Sequence, residues 1–434
     1  MERIRLALLR TKSLQSGRLG LIRNVMKLPR LNGDPYVTSF GIIPANTLSL
    51  GGEKFEGRSS GCGRFLNDGY LRTIGETVER YCPAFYKKED MRMTCYKELT
   101  DIAINPKEFA LFHERQYNEY VIHKYKIVPF GESTKLHWTE SLDLTDGKSK
   151  LIPSAFVYLP WTGDDQWITV GTSTGLAAHT NYYKAILTAL YELIERDAFV
   201  VTWHQQMFKA KIWIDDAIHK YIANIFPNRY EWHFMDITYD FNVPTVFGIC
   251  FGRAEFGDFV AVGTATRTTY GDALRKVILE IAQSVSYFRF LLDRRRNWMP
   301  NDNFRELLNF EDHSIFYIKR PELQTVFDVW RKAEASFSVD IEERNAESTE
   351  KQITTIIERM RQKGYNVLVK DLTTSDVNQV GLYAIRIVIP QLLQMGGAYP
   401  FYFLGGRRLY DLPVEMGMQS KSFEQLNHYP HPFP

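Results

Sequence analysis

Two short segments constrain this chain more than anything else in it. They are "GETVERY", with Glu76, Glu79 and Arg80, and "YELIERDA", with Glu192, Glu195 and Arg196. Both sit in stretches whose apolar residues recur at helical spacing. On a helix, positions three apart share a face, so each segment presents two carboxylates side by side. The second lies within "AILTALYELIERDAFVV", apolar nearly all round and therefore expected to form a buried helix. A buried carboxylate costs several kcal/mol unless it is paired or bound to a cation. A fold that takes in this helix must also supply positive charge.

Three partners can be weighed. The arginines can close a structural ion-pair network. A di-iron centre of the helical-bundle type needs Glu-x-x-His, and neither segment has the histidine. Mg²⁺ takes carboxylate oxygens together with substrate phosphates. Two pairs on separate helices could hold more than one Mg²⁺ around a triphosphate, with Glu280 and Gln283 of a third helix completing the ring. No G-x-x-x-x-G-K-[ST] phosphate loop occurs. Instead, two small-residue stretches read as loops, "SSGCGRF" (Ser59–Phe65) and "GTSTGLAAHT", precede the first and second acidic helices. Loop amides ahead of a helix make a phosphate cradle. The ion-pair and nucleotide readings both stay open at this level.

Around these helices the pattern predicts α+β. "DFVAVGTAT", "YNVLVKDL" and "YAIRIVIP" read as strands, while "YLRTIGETVERY", "NYYKAILTALYELIERDAFVVTWH" and "GDALRKVILEIAQSVSYFRFLL" read as helices. An acidic loop leads into a surface helix that ends at a C-cap Gly364. The expected organisation is a basic N-terminal extension, residues 1–50, before one large domain, residues 51–434. Net charge is only +2, which argues against a nucleic-acid partner, and no run of about 18 apolar residues offers a membrane span. The basic start is not expected to be a signal peptide, because its longest apolar run is "LALL". Cys62, Cys82, Cys95 and Cys250 are scattered, so they are expected to be reduced thiols in a cytoplasmic protein.

The sequence finishes "NHYPHPFP", with proline at every second position from Pro430 to Pro434. Such a tail favours stiff extended geometry and can carry a carboxylate to a definite place; the plain alternative is a frayed end. Together with "SSGCGRF…GETVERY", "ALYELIERDAF", "EIAQS" and "FLGGRRL", this ending resembles the YcaO superfamily over about Ser59 to Pro434. The resemblance implies a fold of mixed sheets whose acidic helices bind ATP and Mg²⁺. It implies an ATP-dependent cyclodehydratase that turns Cys, Ser or Thr of a ribosomal precursor peptide into thiazoline or oxazoline rings by phosphorylating the backbone amide oxygen. Mg²⁺ would be held by Glu76, Glu79, Glu192 and Glu195, and the nucleotide site would further include Ser59, Ser60, Arg80, Lys184, Arg196, Glu280 and Gln283. The carboxylate of Pro434 would act as a base or positioning group. The implied partners are the precursor peptide, a separate E1-like or ThiF-like leader-binding protein and a flavin azoline oxidase, in a homodimer or hetero-complex.

The chain departs from the family pattern at Cys62, where lysine is frequent, and at Arg72, where serine is preferred. It departs again at Thr180 and Lys184, where Asn and Glu are preferred, and at Tyr287, where arginine is usual. Asn181 is adjacent to Thr180 and can substitute after a one-residue slip. Lys184 reverses a charge. It either grips a phosphate in place of one Mg²⁺, or marks a degenerate subunit that binds peptide or partner without ATP turnover. His428 and His431 are assigned structural roles, and "DRRRNWMP" a solvated basic face.

Overall fold

The run around Glu192 and Glu195 forms a helix, Tyr182–Gln205, buried along nearly its whole length. Asn181 caps it, its Oδ1 accepting from the Lys184 amide at 3.0 Å. The computed structural model describes residues 2–18, 20–55 and 57–433. The first acidic helix spans Leu66–Tyr81 and the third spans Tyr270–Arg294. All three helices agree with the sequence periodicity.

Three sheets hold these helices in place. A small antiparallel sheet runs Ile22–Lys27, Thr38–Pro44, Ser59–Gly63. A five-stranded sheet runs Gly257–Thr266, Thr245–Ala254, Glu231–Asp236, Ala210–Ile212, Ala335–Phe337, parallel only in its last pair. A six-stranded antiparallel sheet includes Lys135–Asp143, Leu368–Asp371, Tyr383–Val388 and Leu176–His179. The buried acidic helix packs between Tyr383–Val388 of one large sheet and Gly257–Thr266 of the other. The first acidic helix lies on the small sheet, and the third spans from the five-stranded sheet to Ser59–Gly63. This is the α+β architecture the sequence predicts, with the acidic helices meeting at its centre.

Two local readings change. "SSGCG" is a β-strand, not a loop, because Phe40, Gly41 and Ile42 pair with Gly61, Ser60 and Ser59. Its glycines serve close packing: a Cβ on Gly61 would stand 2.6 Å from the Thr73 amide nitrogen. Within the stretch read as an acidic loop, Ala335–Phe337 adds a short strand. The surface helix is Thr349–Gln362, and Gly364 follows it with φ +73°, as a C-terminal glycine should. Residues 22–44 supply two strands of the sheet that carries Ser60. All four cysteines are free and buried. Among the described residues, no helix is long and apolar enough to cross a membrane.

The "FLGGRRL" segment resolves into one structural and one surface arginine. Arg408 is buried and places Nε 2.9 and 2.8 Å from the two oxygens of Asp197, and its Nη atoms 2.9 and 2.6 Å from those of Asp240. Asp197 also accepts from the Leu393 amide at 2.9 Å. Arg407 lies outside, 3.6 Å from Asp411. In the basic run, Arg294, Arg295 and Arg296 each pair with a carboxylate.

Candidate functional site

Three of the predicted carboxylates are gripped by backbone from different parts of the fold. Glu76 accepts from the Ser60 amide at 3.0 Å, joining the first acidic helix to the small sheet. Glu192 accepts from the Gly175 amide at 3.1 Å. Gly175 sits at φ +89°, where a Cβ would meet the Ile387 carbonyl oxygen at 2.3 Å, so only glycine fits. Glu195 accepts from the Thr264 hydroxyl at 3.1 Å and the Thr266 amide at 3.2 Å, reaching the five-stranded sheet. Gln283 of the third helix donates to the Ser60 hydroxyl at 3.4 Å.

The arginines lie among these carboxylates without satisfying them. Arg80 Nε stands 4.0 Å from Glu79; Arg196 Nε stands 3.9 Å from Glu192 and 3.8 Å from Glu195. These are ion pairs too long for hydrogen bonds. Arg196 Nε is buried with no hydrogen-bond partner among the described residues. The charge is correspondingly strained. Burial raises Glu76, with Glu192 adding to the effect and Arg80 opposing it. Burial raises Glu79 well above the ordinary range, and pushes Glu195 up to about 7 with Glu280 contributing.

The structure joins most of the predicted residues and separates two. Ser59 and Ser60 alternate along their strand, so they face opposite ways. Ser60 meets Glu76 and Gln283, whereas Ser59 is buried in a crevice with Thr77 and Tyr81. Lys184 is exposed in the first turn of its helix, two turns before Glu192 and roughly 12 Å along the axis. Asn181 is occupied as that helix's cap. The other departures have local roles: Cys62 Sγ donates to the Leu279 carbonyl at 3.6 Å, Arg72 to the Cys62 carbonyl at 3.2 Å, and Tyr287 to Glu311 at 3.3 Å.

Arg386 is a residue the sequence reading missed. It is buried within the strand Tyr383–Val388, donates to the Phe156 and Thr172 carbonyls at 3.0 and 2.9 Å, and faces Glu192 and Glu79. Burial pulls it down to about 10. A lone arginine in "YAIRIVIP" was the available signal.

The proline-rich tail is not frayed. Residues Pro430–Phe433 are buried beside the second acidic helix. Four of the tail's carbonyls accept from the body: Asn427 from His204 at 2.8 Å, Tyr429 from Trp203 at 2.8 Å, Pro430 from Tyr317 at 2.7 Å, and His431 from His313 at 2.9 Å. Burial pulls His204 and His313 down to about 4, so near neutrality both are uncharged and donate through Nδ1–H. Phe433 then lies beneath Arg196, whose Cζ is 4.1 Å from the ring centroid. The tail therefore ends its described course against the acidic cluster. Pro434 itself lies outside the described residues. His431 is buried and bonded to the Gly396 carbonyl, and His428 bonds the Phe423 carbonyl, both structural roles.

The sequence model of a family described as YcaO cyclodehydratase, ATP- and Mg²⁺-binding, matches residues 60–393. The chain belongs to the YcaO family. No curated protein matches the sequence significantly. Among solved structures, a "heterocyclase in complex with substrate and cofactor" is 20% identical, with TM-score 0.75, over 99% of this chain and 57% of its own. YcaO from Methanopyrus kandleri, bound with AMPPCP and Mg²⁺, is 17% identical with TM-score 0.62, covering 91% of each chain. The E. coli microcin synthetase McbBCD complex with pro-MccB17 bound is 15% identical with TM-score 0.61, over 94% of this chain and 96% of that one. These structural similarities establish the fold. The chain spans little more than half of the first heterocyclase.

ATP and Mg²⁺, expected from the sequence, are the cofactors of the YcaO family. The residues present fit them. Carboxylates raised by burial, and further by one another, gain from a cation, and a buried guanidinium nitrogen without a partner gains from a phosphate oxygen. Among the described residues, no three His, Cys, Asp or Glu side chains already converge as a metal cage.

Proposed function

We propose that this YcaO protein is an ATP-dependent peptide cyclodehydratase. It acts on Cys, Ser or Thr of a ribosomal precursor peptide, with Glu76, Glu79, Glu192 and Glu195 as the Mg²⁺ ligands. The side-chain sulfur or oxygen attacks the preceding amide carbon, and its proton passes to a base. The amide oxygen takes the γ-phosphoryl group from ATP, releasing ADP. Loss of the amide proton and departure of phosphate then give the C=N bond of the azoline. Mg²⁺, when bound, neutralises charge on the triphosphate. Arg80 and Arg196 orient the carboxylates and meet phosphate oxygens. The observation that carries this reading is the meeting of Glu192 and Glu195 around a buried Arg196 Nε without a hydrogen-bond partner, with Glu76 and Glu79 near enough for the Glu192 charge to raise both.

A separate E1-like or ThiF-like protein would present the precursor, and a flavin oxidase would take azolines to azoles. Four buried free thiols accord with a cytoplasmic setting. The test is mass spectrometry of candidate precursors incubated with the protein, a candidate partner and ATP·Mg²⁺. One water should be lost per ring, with matching phosphate release. Precursor binding without ring formation or ATP turnover would replace this reading with a non-catalytic subunit.

The Pro434 carboxylate is proposed as the base or positioning group. Appending one glycine after Pro434 moves that carboxylate by roughly 3.5 Å. Ring formation should fall about 100-fold, the scale of a misplaced reacting group. ATP·Mg²⁺ affinity and the unfolding midpoint should hold, because Pro430–Phe433 can stay docked. Unchanged ring formation would remove the tail from the chemistry.

A further inference from the structure

Proline removes the backbone donor at Pro430, Pro432 and Pro434, which leaves N–H groups from Tyr429 onward only on Tyr429, His431 and Phe433. All three donate to side chains. Tyr429 donates to Asn427 Oδ1 at 3.1 Å, His431 to the Tyr402 hydroxyl at 3.1 Å, and Phe433 to His431 Nδ1 at 3.2 Å. The first and the last share a pattern, a side chain accepting from the amide two residues on. The last is also the one hydrogen bond that Phe433 makes among the described residues.

The ring that accepts it is fixed from outside the tail. His431 Nε2 lies 2.9 Å from the Gly396 carbonyl, which can only accept, so Nε2 carries the proton and Nδ1 offers a lone pair. Burial, with His313 adding to it, keeps the imidazole uncharged. Its face stacks on His313, with centroids 4.2 Å apart and planes 12° apart, and on Tyr402 at 5.2 Å and 22°. Gly396 follows Met395, whose Sδ is 3.7 Å from Arg196 Nη1. The imidazole therefore ties Phe433, beneath Arg196, to a loop that touches the same arginine. Pro432 fixes its own φ but not its ψ, and the bond to Nδ1 stops that remaining rotation.

We propose that His431 is a positioning residue for ring formation: by accepting from the Phe433 amide while donating to the Gly396 carbonyl, it sets the direction of the residue that bears Pro434. This rests on the reading of the Pro434 carboxylate as a base or positioning group, and adds the side chain that aims it.

Two variants of the full chain separate the two bonds. His431→Asn can repeat the Asn427–Tyr429 contact and keep an acceptor for the Phe433 amide, but it gives up Gly396. His431→Gln can reach the Gly396 carbonyl and gives up that acceptor. Both are followed by fluorine NMR with 4-fluorophenylalanine placed at Phe433, by unfolding midpoints, and by ring-formation kinetics with a precursor and partner that support the reaction. His431→Gln should split or broaden the fluorine line and lower kcat on the order of 10- to 100-fold, with precursor KM and ATP·Mg²⁺ affinity held. His431→Asn should keep a single line and most of kcat, although its smaller side chain leaves the larger void and lowers the midpoint at least as far. Activity that simply follows the midpoint, with Asn no better than Gln, would overturn the assignment, as would an unmoved fluorine line in His431→Gln. If His431→Gln forms rings at the original rate while a glycine after Pro434 stops them, this assignment falls alone. If neither change matters, the reading of Pro434 falls with it.

Discussion

Glu192→Gln should lower ATP-dependent ring formation about 1,000-fold, the upper end of what one preorganised charge usually contributes, and at the same time make the nucleotide-free protein more stable. The two effects have one origin. The glutamine can still accept from the Gly175 amide, so the local hydrogen bond survives. What disappears is a negative charge that raises Glu76, Glu79 and Glu195. These carboxyls hold protons more tightly in the folded state than in the unfolded one, so folding takes up protons. Stability is therefore greatest near the ordinary carboxylate range and falls as pH rises toward the raised values, about 7 for Glu195. Denaturant unfolding between pH 5 and 8 should show that decline, flattened in Glu192→Gln, with a gain of about 1 kcal/mol at the upper end. Added ATP·Mg²⁺ should raise the midpoint of the original protein and leave that of the variant unmoved. A variant that kept its activity, or lost stability, would count against a strained cation-binding cluster.

Arg408→Ala should cost about 3–5 kcal/mol of folding stability, because it strands a buried partner's charge. Asp197 is 1% exposed and Arg408 4%, so water has little access to either. Asp240 would keep Lys363, 2.6 Å away, but among the described residues Asp197 would keep only the Leu393 amide. Asp197 follows Arg196 directly, so the same clamp fixes the rotation of the helix that aims Glu192 and Glu195. Residual folded protein should therefore also bind ATP·Mg²⁺ more weakly. Denaturant melts of Arg408→Ala, and of Arg408→Ala with Asp197→Asn, check this: removing both charges should return part of the loss. A single-variant cost under about 1 kcal/mol would class the pair with ordinary surface bridges.

The helices and the strands of the large sheets were legible because their patterns are long and their apolar periods clear. The acidic pairs were legible because carboxylates in an apolar helix need an explanation. Ser59–Gly63 was misread because serine and glycine disfavour strands locally, and only pairing with Thr38–Ile42 and the close approach of Thr73 make a strand there. Lys184, chosen for its place in a motif, turned out to lie on the exposed first turn. The tail's anchors left no trace in the sequence, since Trp203, His204, His313 and Tyr317 read backbone oxygens, which every residue has.

That last feature makes the tail a ruler. Its prolines donate no backbone hydrogen bonds, and the body recognises it by where its carbonyls fall along an extended path. One inserted residue between Pro430 and Phe433 would advance the remaining chain by about 3.1 Å. Distance, more than composition, is what this segment carries inward, and Phe433 beneath Arg196 is its last described graduation.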